Sequence, residues 1–269
     1  MKAYYSLSAD QLAQGARIPL MRLNESGEVF YELALAMIRT IEANNREGKP
    51  TVMILPVGPV GQYPIFVRLA NQRRLDMRKL WVFSMDEYLD EKGQWIPESD
   101  PLSFRGFMNR NVYDLIDADL LPPEEQRIFP DPGDPQAADL LLASLGGPDL
   151  CIGGIGLNGH LAFNEPQPEL SVAEFSALGS RVRAIAPETR AANCMGDLKG
   201  ALEDMPTHCV TLGMKQILSA RKVVLGVFRD WHRGVLRRAL HGEQSTAFPV
   251  TLLQSHPDAL IISNATAAS

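Results

Sequence analysis

The stretch DLCIGGIGLNGHLAFNEP, residues 149–166, decides how the chain is read. It opens on a short apolar run, Leu150 to Ile152, and passes into glycines at positions 153, 154, 156 and 159. A short apolar run bounded by turn residues reads as a buried strand. Glycines at its carboxyl end let the backbone turn sharply over a sheet edge and come close to a ligand. Asn158, Gly159 and His160 lie in that loop, and Glu165 follows five residues after the histidine. An imidazole entering a crevice from a strand end is a candidate acid–base group. Glu165 can reach it if residues 161–164 turn the chain back, and a carboxylate partner would then fix the ring's tautomer. The other histidines, His208, His232, His241 and His256, are scattered and read as structural. No further histidine or cysteine lies near enough to the loop for a metal site, so none is expected.

On both sides of this stretch, apolar runs alternate with helical patterns. TVMILPV (51–57), LWVFSM (80–85), RVRAIA (181–186), HCVTLGM (208–214), KVVLGVF (222–228) and ALIISN (259–264) read as strands. Between residues 25 and 45, Phe30, Leu33, Met37 and Ile41 recur at helical spacing. Helices are also expected over 64–74, 102–116, 136–145, 213–220 and 229–240. The strands are uniformly apolar rather than alternating, which argues for a mostly parallel sheet covered on both faces. The expected fold is α/β, Rossmann-like and doubly wound, in one domain over residues 1–269. Residues 86–101, DEYLDEKGQWIPESDP, read as a long loop rich in acids and turn residues.

Composition narrows the functional classes. The chain carries a formal net charge of −6, with 45% hydrophobic and 22% charged residues, which is ordinary for a soluble globular protein. A nucleic-acid partner is not expected, because the overall basic footprint is absent. An anionic ligand would need a locally positive site. Cys151, Cys194 and Cys209 are three in number and widely spaced. They read as free thiols of a cytoplasmic protein rather than a disulfide or zinc framework. The first residues lack an apolar signal core, and no apolar run approaches the length of a membrane span, so no membrane partner is expected.

In open α/β sheets ligands bind beyond the carboxyl ends of the strands, which directs attention to two further segments. After the strand at 51–57 comes PVGPVGQYP, where Gly58 and Gly61 allow close backbone approach ahead of a helix. That is an anion cradle or a plain strand-to-helix turn. It is not a Walker loop, and Pro59 and Pro64 remove amide donors. After the strand at 80–85, MDEYLD places Asp86 and Glu87 at the strand end. A partly desolvated carboxylate there is a natural general base. The alternative is that such acids cap the next turn or pair with arginines.

With these residues assembled, GIGLNGHLAFNEP closely resembles the signature loop of the glucosamine-6-phosphate and galactosamine-6-phosphate deaminase/isomerases. SMDEY, APETRAAN and CVTLGMKQILSARKVVLGV resemble further elements of that family in the same order, from about Glu25 to Ile262. The resemblance implies an enzyme without cofactor or metal. Its substrate would be a sugar phosphate or a related anionic sugar, and its assembly a monomer, trimer or hexamer. Asp86 would move a proton between C2 and C1 of the open-chain sugar. His160 would assist ring opening, supported by Glu165 and Asn158. Gly58, Gly61, Glu87, Gly159 and Arg229 would bind the substrate.

Three positions depart from the family pattern. Asn158 stands where the glucosamine enzymes usually carry aspartate, which removes one anion from the imidazole; the galactosamine type is similar to this chain in having asparagine. The loop VGPVGQYP has no hydroxyl donor, where the family's phosphate loop is rich in them. Met195 aligns with a family arginine, and Arg229 with a family lysine, which keeps the charge and adds bidentate reach. Such losses weaken phosphate binding, so a substrate other than glucosamine 6-phosphate is expected. Two further readings stay open: a 6-phosphogluconolactonase-type hydrolase, which shares the fold and a G-x-x-G-H loop, and a catalytically degenerate sugar-binding protein.

Overall fold

Seven of the strands lie in one parallel sheet, and burial on both faces is what their unbroken apolar runs encode. The computed structural model describes residues 2–269. Its strands in chain order are β1 (Leu20–Arg22), β2 (Thr51–Leu55), β3 (Leu80–Ser84), β4 (Asp86–Leu89), β5 (Arg127–Ile128), β6 (Leu150–Gly153), β7 (Arg181–Ala184), β8 (His208–Thr211), β9 (Lys222–Val227) and β10 (Ala259–Ser263). The helices are α1 (Ser26–Arg46), α2 (Gln62–Arg73), α3 (Phe104–Asn111), α4 (Pro135–Ser144), α5 (Val172–Ser176), α6 (Pro187–Asp197), α7 (Met214–Leu218), α8 (His232–His241) and α9 (Ala265–Ala268). The large sheet runs β1-β10-β9-β6-β2-β3-β5 with every neighbouring pair parallel. Alternate residues of β2 serve the two layers. Val52 and Ile54 join Leu142 of α4, Ile217 of α7 and Leu236 of α8. Met53 and Leu55 join Leu33 and Met37 of α1 and Phe66 of α2. The doubly wound α/β expectation is what the structure shows. No helix among the described residues is long and apolar enough to cross a membrane.

Several elements differ from the sequence reading. Residues 86–101 were expected to form a loop, but Asp86–Leu89 is a strand paired antiparallel with β8, in the register Asp86↔Thr211 to Leu89↔His208. Acidic residues depress strand propensity, and pairing with the distant β8, extended by a local Leu89↔Trp95 bridge, makes this segment a strand. The runs at 181–186 and 208–214 do not enter the parallel sheet; β7 and β8 join β4 in a second sheet, β4-β8-β7. The expected helix over 102–116 breaks at Val112, where ψ is −67° at φ −127°, and ends in a 3₁₀ turn, Tyr113–Leu115. α6 had no helical expectation, although Pro187 and Glu188 in its first turn are favourable starts. Phe30 is not on the core stripe of α1; Val29 takes that position and Phe30 lines a cavity.

The order of the large sheet creates the crevice. Connections run from β2 outward to β3 on one side and from β6 outward to β9 and β10 on the other. Chain direction therefore reverses between neighbours β2 and β6, and the loops beyond their carboxyl ends diverge. The chain leaving β3 enters β4 through Met85, whose N–H donates to Leu55 O (3.0 Å) and whose carbonyl accepts from Leu212 N (2.7 Å). That crossing sets the small sheet over the crevice.

Candidate active site

The crevice holds a cavity of about 390 Å³. Segments after four parallel strands line it: Gly58 and Gly61 after β2, Asp86 after β3, Gly156 and His160 after β6, and Arg229 after β9. One face of α6, with Thr189, Asn193 and Asp197, closes the side. A cavity of this size, mostly apolar with a few convergent polar groups, is the usual form of a small-molecule site.

The histidine loop is built by its own turns. Asn164 N donates to Leu161 O (3.1 Å), and the buried Asn164 amide donates to the carbonyls of Leu161 (3.0 Å) and Leu212 (2.9 Å). This turn brings the buried Glu165 back to the imidazole, with Oε2 3.3 Å from His160 Nδ1. Asn158 Oδ1 is closer to Nδ1, at 2.7 Å. Asn158 Nδ2 donates to Glu165 Oε2 (2.7 Å) and to Glu188 Oε1 (3.0 Å). Two carboxylate acceptors fix which end of the amide is nitrogen, so its oxygen must face the ring. Nδ1 of His160 therefore carries the proton, and Nε2 is left as the acceptor in the neutral ring. Thr189 Oγ1 adds a contact to Nδ1 at 3.3 Å. Burial works to raise the Glu165 pKa, but the hydrogen bond and charge of His160, with bonds from Asn158 and Thr189, hold it at about 2. Gly156 has a steric role: a Cβ there would come within 2.0 Å of the imidazole ring.

Asp86 and Glu87 separate the two readings of the acidic pair. Asp86 lines the cavity, is 7% exposed, and accepts no hydrogen bond from the described residues. Burial, and then the neighbouring Glu87 charge, push its pKa well up. Its cross-strand partner Thr211 accepts from Phe163 N (3.1 Å), so β8 holds the Asp86 strand and the histidine loop together. Glu87 was expected to bind substrate; instead it is wholly buried and does not reach the cavity. Strand alternation turns it the other way, towards the start of α3. There it accepts from Ser103 Oγ (3.0 Å), Phe104 N (3.0 Å), Arg105 N (2.9 Å) and its neighbour Tyr88 N (2.9 Å). It caps a helix and pairs with Arg105, as acids at a strand end can.

At the opposite end, Gly58 and Gly61 both border the cavity. Gly58 has φ +143°, and a Cβ on Gly61, the residue before α2, would overlap the Phe30 ring. Arg229 is exposed at the rim, and its guanidinium makes no hydrogen bond to the described residues. Its backbone N–H and that of Phe228 donate to His232 Nδ1 (2.9 and 3.2 Å), whose Nε2–H donates to Ile155 O (3.0 Å). His232 thus clasps the loops after β6 and β9. Burial lowers its pKa to about 4, against the bond to Ile155, so the ring is neutral. Met195 lies on α6, 74% exposed and outside the cavity lining. Gly159 points at Phe248 rather than into the cavity, and its φ of +83° is a turn requirement. Asn158 sits behind the imidazole and borders a second, smaller hollow.

Sequence reasoning missed Tyr88, Thr189, Asn193 and Asp197. Tyr88 Oη accepts from Asn193 Nδ2 (3.0 Å) at the cavity wall. The i, i+4, i+8 spacing of the α6 residues was the available signal, lost because no helix was expected there.

No family model matches the chain. A glucosamine-6-phosphate deaminase of Clostridium perfringens (strain SM101 / Type A) is 30% identical over 248 residues, 89% of this chain and 95% of that protein. One from Hahella chejuensis (strain KCTC 2396) is 32% identical over 215 residues, covering 78% and 76%. Among solved structures, a monomeric glucosamine-6-phosphate deaminase, described as a missing link of the NagB superfamily, superposes with TM-score 0.80 at 25% identity, over 93% of this chain and 99% of that one. A 6-phosphogluconolactonase from Trypanosoma cruzi shares the fold at TM-score 0.66 and 18% identity, over 93% and 96%. With relatives at this identity matched along most of its length, the chain belongs to the glucosamine-6-phosphate deaminase family.

Proposed function

We propose that the protein is an amino-sugar-phosphate deaminase/isomerase, acting on an amino-sugar phosphate or a related anionic sugar. The observation that carries this reading is the cavity shared by Asp86 and His160, each arriving from a different strand end with proton-accepting atoms left unpaired. His160 Nε2 takes the proton of the anomeric hydroxyl and passes it to the ring oxygen, which opens the sugar. Nδ1 stays bonded to Asn158, and Glu165 offsets the transient positive charge. Asp86 then removes the C2 proton and returns it to C1. Burial raises its pKa, which strengthens it as a base and suits a carboxylate that must both take and give that proton. The resulting C2 imine is hydrolysed by water to the ketose and ammonia. Arg229 and the N–H groups at the start of α2 receive the anionic end. Every group is supplied by one chain. The free, buried Cys151, Cys194 and Cys209 suit work in the cytoplasm.

The test follows ammonia and ketose formation from glucosamine 6-phosphate and galactosamine 6-phosphate, with 6-phosphogluconolactone hydrolysis in parallel. Asp86→Asn should cut deamination by roughly 10²–10⁴-fold while ligand binding persists. Lactone hydrolysis without ammonia release, or turnover unaffected by Asp86→Asn, would refute the reading.

A further inference from the structure

One acidic side chain faces the cavity without a part in that mechanism. Thr189, Asn193 and Asp197 are spaced four apart on one face of α6. Thr189 touches the imidazole of His160, Asn193 holds Tyr88, and Asp197 ends the stripe beside Arg229. Nη1 of Arg229 lies 3.8 Å from the place a Cβ on Gly196 would take, so the guanidinium rests against the end of α6. Asp197 and Arg229 form no direct ion pair. Phe228 and Trp231, which line the cavity from the same segment as Arg229, offer neither charge nor hydroxyl. Burial raises the Asp197 pKa and the Arg229 charge opposes that rise, as expected for groups sharing one field.

We propose that Asp197 is a specificity-determining residue: set against Arg229 at the far end of the cavity, it brings the local charge close to zero and disfavours a phosphate dianion relative to a far-end group of lower negative charge. The inference rests on the deaminase/isomerase reading of the same site. Both charges of a dianion are attracted by Arg229 and both are repelled by Asp197, so its charge gains little to offset its lost hydration; a hydroxyl is not repelled and can accept from Arg229 while donating to Asp197.

The experiment compares kcat/KM for glucosamine 6-phosphate with kcat/KM for glucosamine in the wild type, Asp197→Asn, Asp197→Ala and Asp197→Glu. In the first two variants the ratio of phosphate to free sugar should rise about 10-fold or more, and Asp197→Glu should hold it near the wild-type value. A ratio that does not move, or falls, overturns the inference. If the wild type turns over neither sugar, the deaminase reading has failed rather than this one. Calorimetric binding of inorganic phosphate then decides: tighter binding to Asp197→Asn than to wild type supports the charge effect, and equal binding ends it.

Discussion

The amide of Asn158 fixes the tautomer of His160: its oxygen lies 2.7 Å from Nδ1 while its nitrogen is held by Glu165 and Glu188. Replacing Asn158 by aspartate would set a third carboxylate within hydrogen-bond distance of both Glu165 and Glu188. Asn158→Asp should therefore lose stability, by about 1–3 kcal/mol in urea unfolding at neutral pH. Asn158→Ala should lower kcat about 10-fold or more with a smaller change in KM, since the ring keeps its place on Gly156 but loses its orienting acceptor. Equal stability of the aspartate variant would show that Glu188 does not take part.

Asp86 gives a trade between stability and function. Its folded pKa is raised, so the folded state holds a proton that the unfolded state gives up. That contribution is complete below the unfolded pKa and is lost as pH rises towards the folded one. At neutral pH, Asp86→Asn should accordingly be more stable than wild type, by about 1–3 kcal/mol, and the gain should shrink as pH falls through 4. Unfolding curves at pH 4 and pH 7 check it; a variant less stable at pH 7 contradicts it.

Glu87 should behave in the opposite way. Its carboxylate is wholly buried and accepts from four groups, three of them at the start of α3. Glu87→Ala leaves those buried donors without an acceptor, although Arg105 keeps Glu98 and the Ile96 carbonyl, and should cost about 3–5 kcal/mol. Any activity loss should follow the unfolded fraction and be recovered at low temperature, because Glu87 does not reach the cavity.

His232 predicts a pH response of its own. With a folded pKa of about 4 against an ordinary 6.5, it contributes stability that is whole above pH 6.5 and declines as pH falls to about 4. Glu165, held at about 2 against 4.5, adds a second loss only below pH 4.5. Between pH 7 and 4 the wild type should lose stability relative to His232→Asn, whatever slope the raised Asp86 adds to both. An unchanged slope would place the response elsewhere.

Gly156 tests the geometry of the loop. A methyl group there would occupy the imidazole's position, so Gly156→Ala should displace His160 and depress kcat by about 10²-fold or more. The parallel sheet beneath should stay intact, visible as unchanged far-ultraviolet circular dichroism.

Residues 149–166 and the apolar runs around them already carried the fold class, because a strand buried on both faces must be apolar throughout. They also carried the pairing of His160 with Glu165, since a four-residue turn is a local matter that Asn164 completes. Asp86 stood out for the same reason, as an acid at a strand end. What the sequence left open was direction and distance. Asp86 and Glu87 are equivalent in one dimension; only pairing with β8, more than a hundred residues away, turns one into the cavity and the other to α3. The second sheet, the reach of α6 across the crevice and the meeting of Asp197 with Arg229 likewise depend on contacts between remote segments. Local pattern determines which residues are extended, helical or buried; long-range pairing alone determines which side chains share a space.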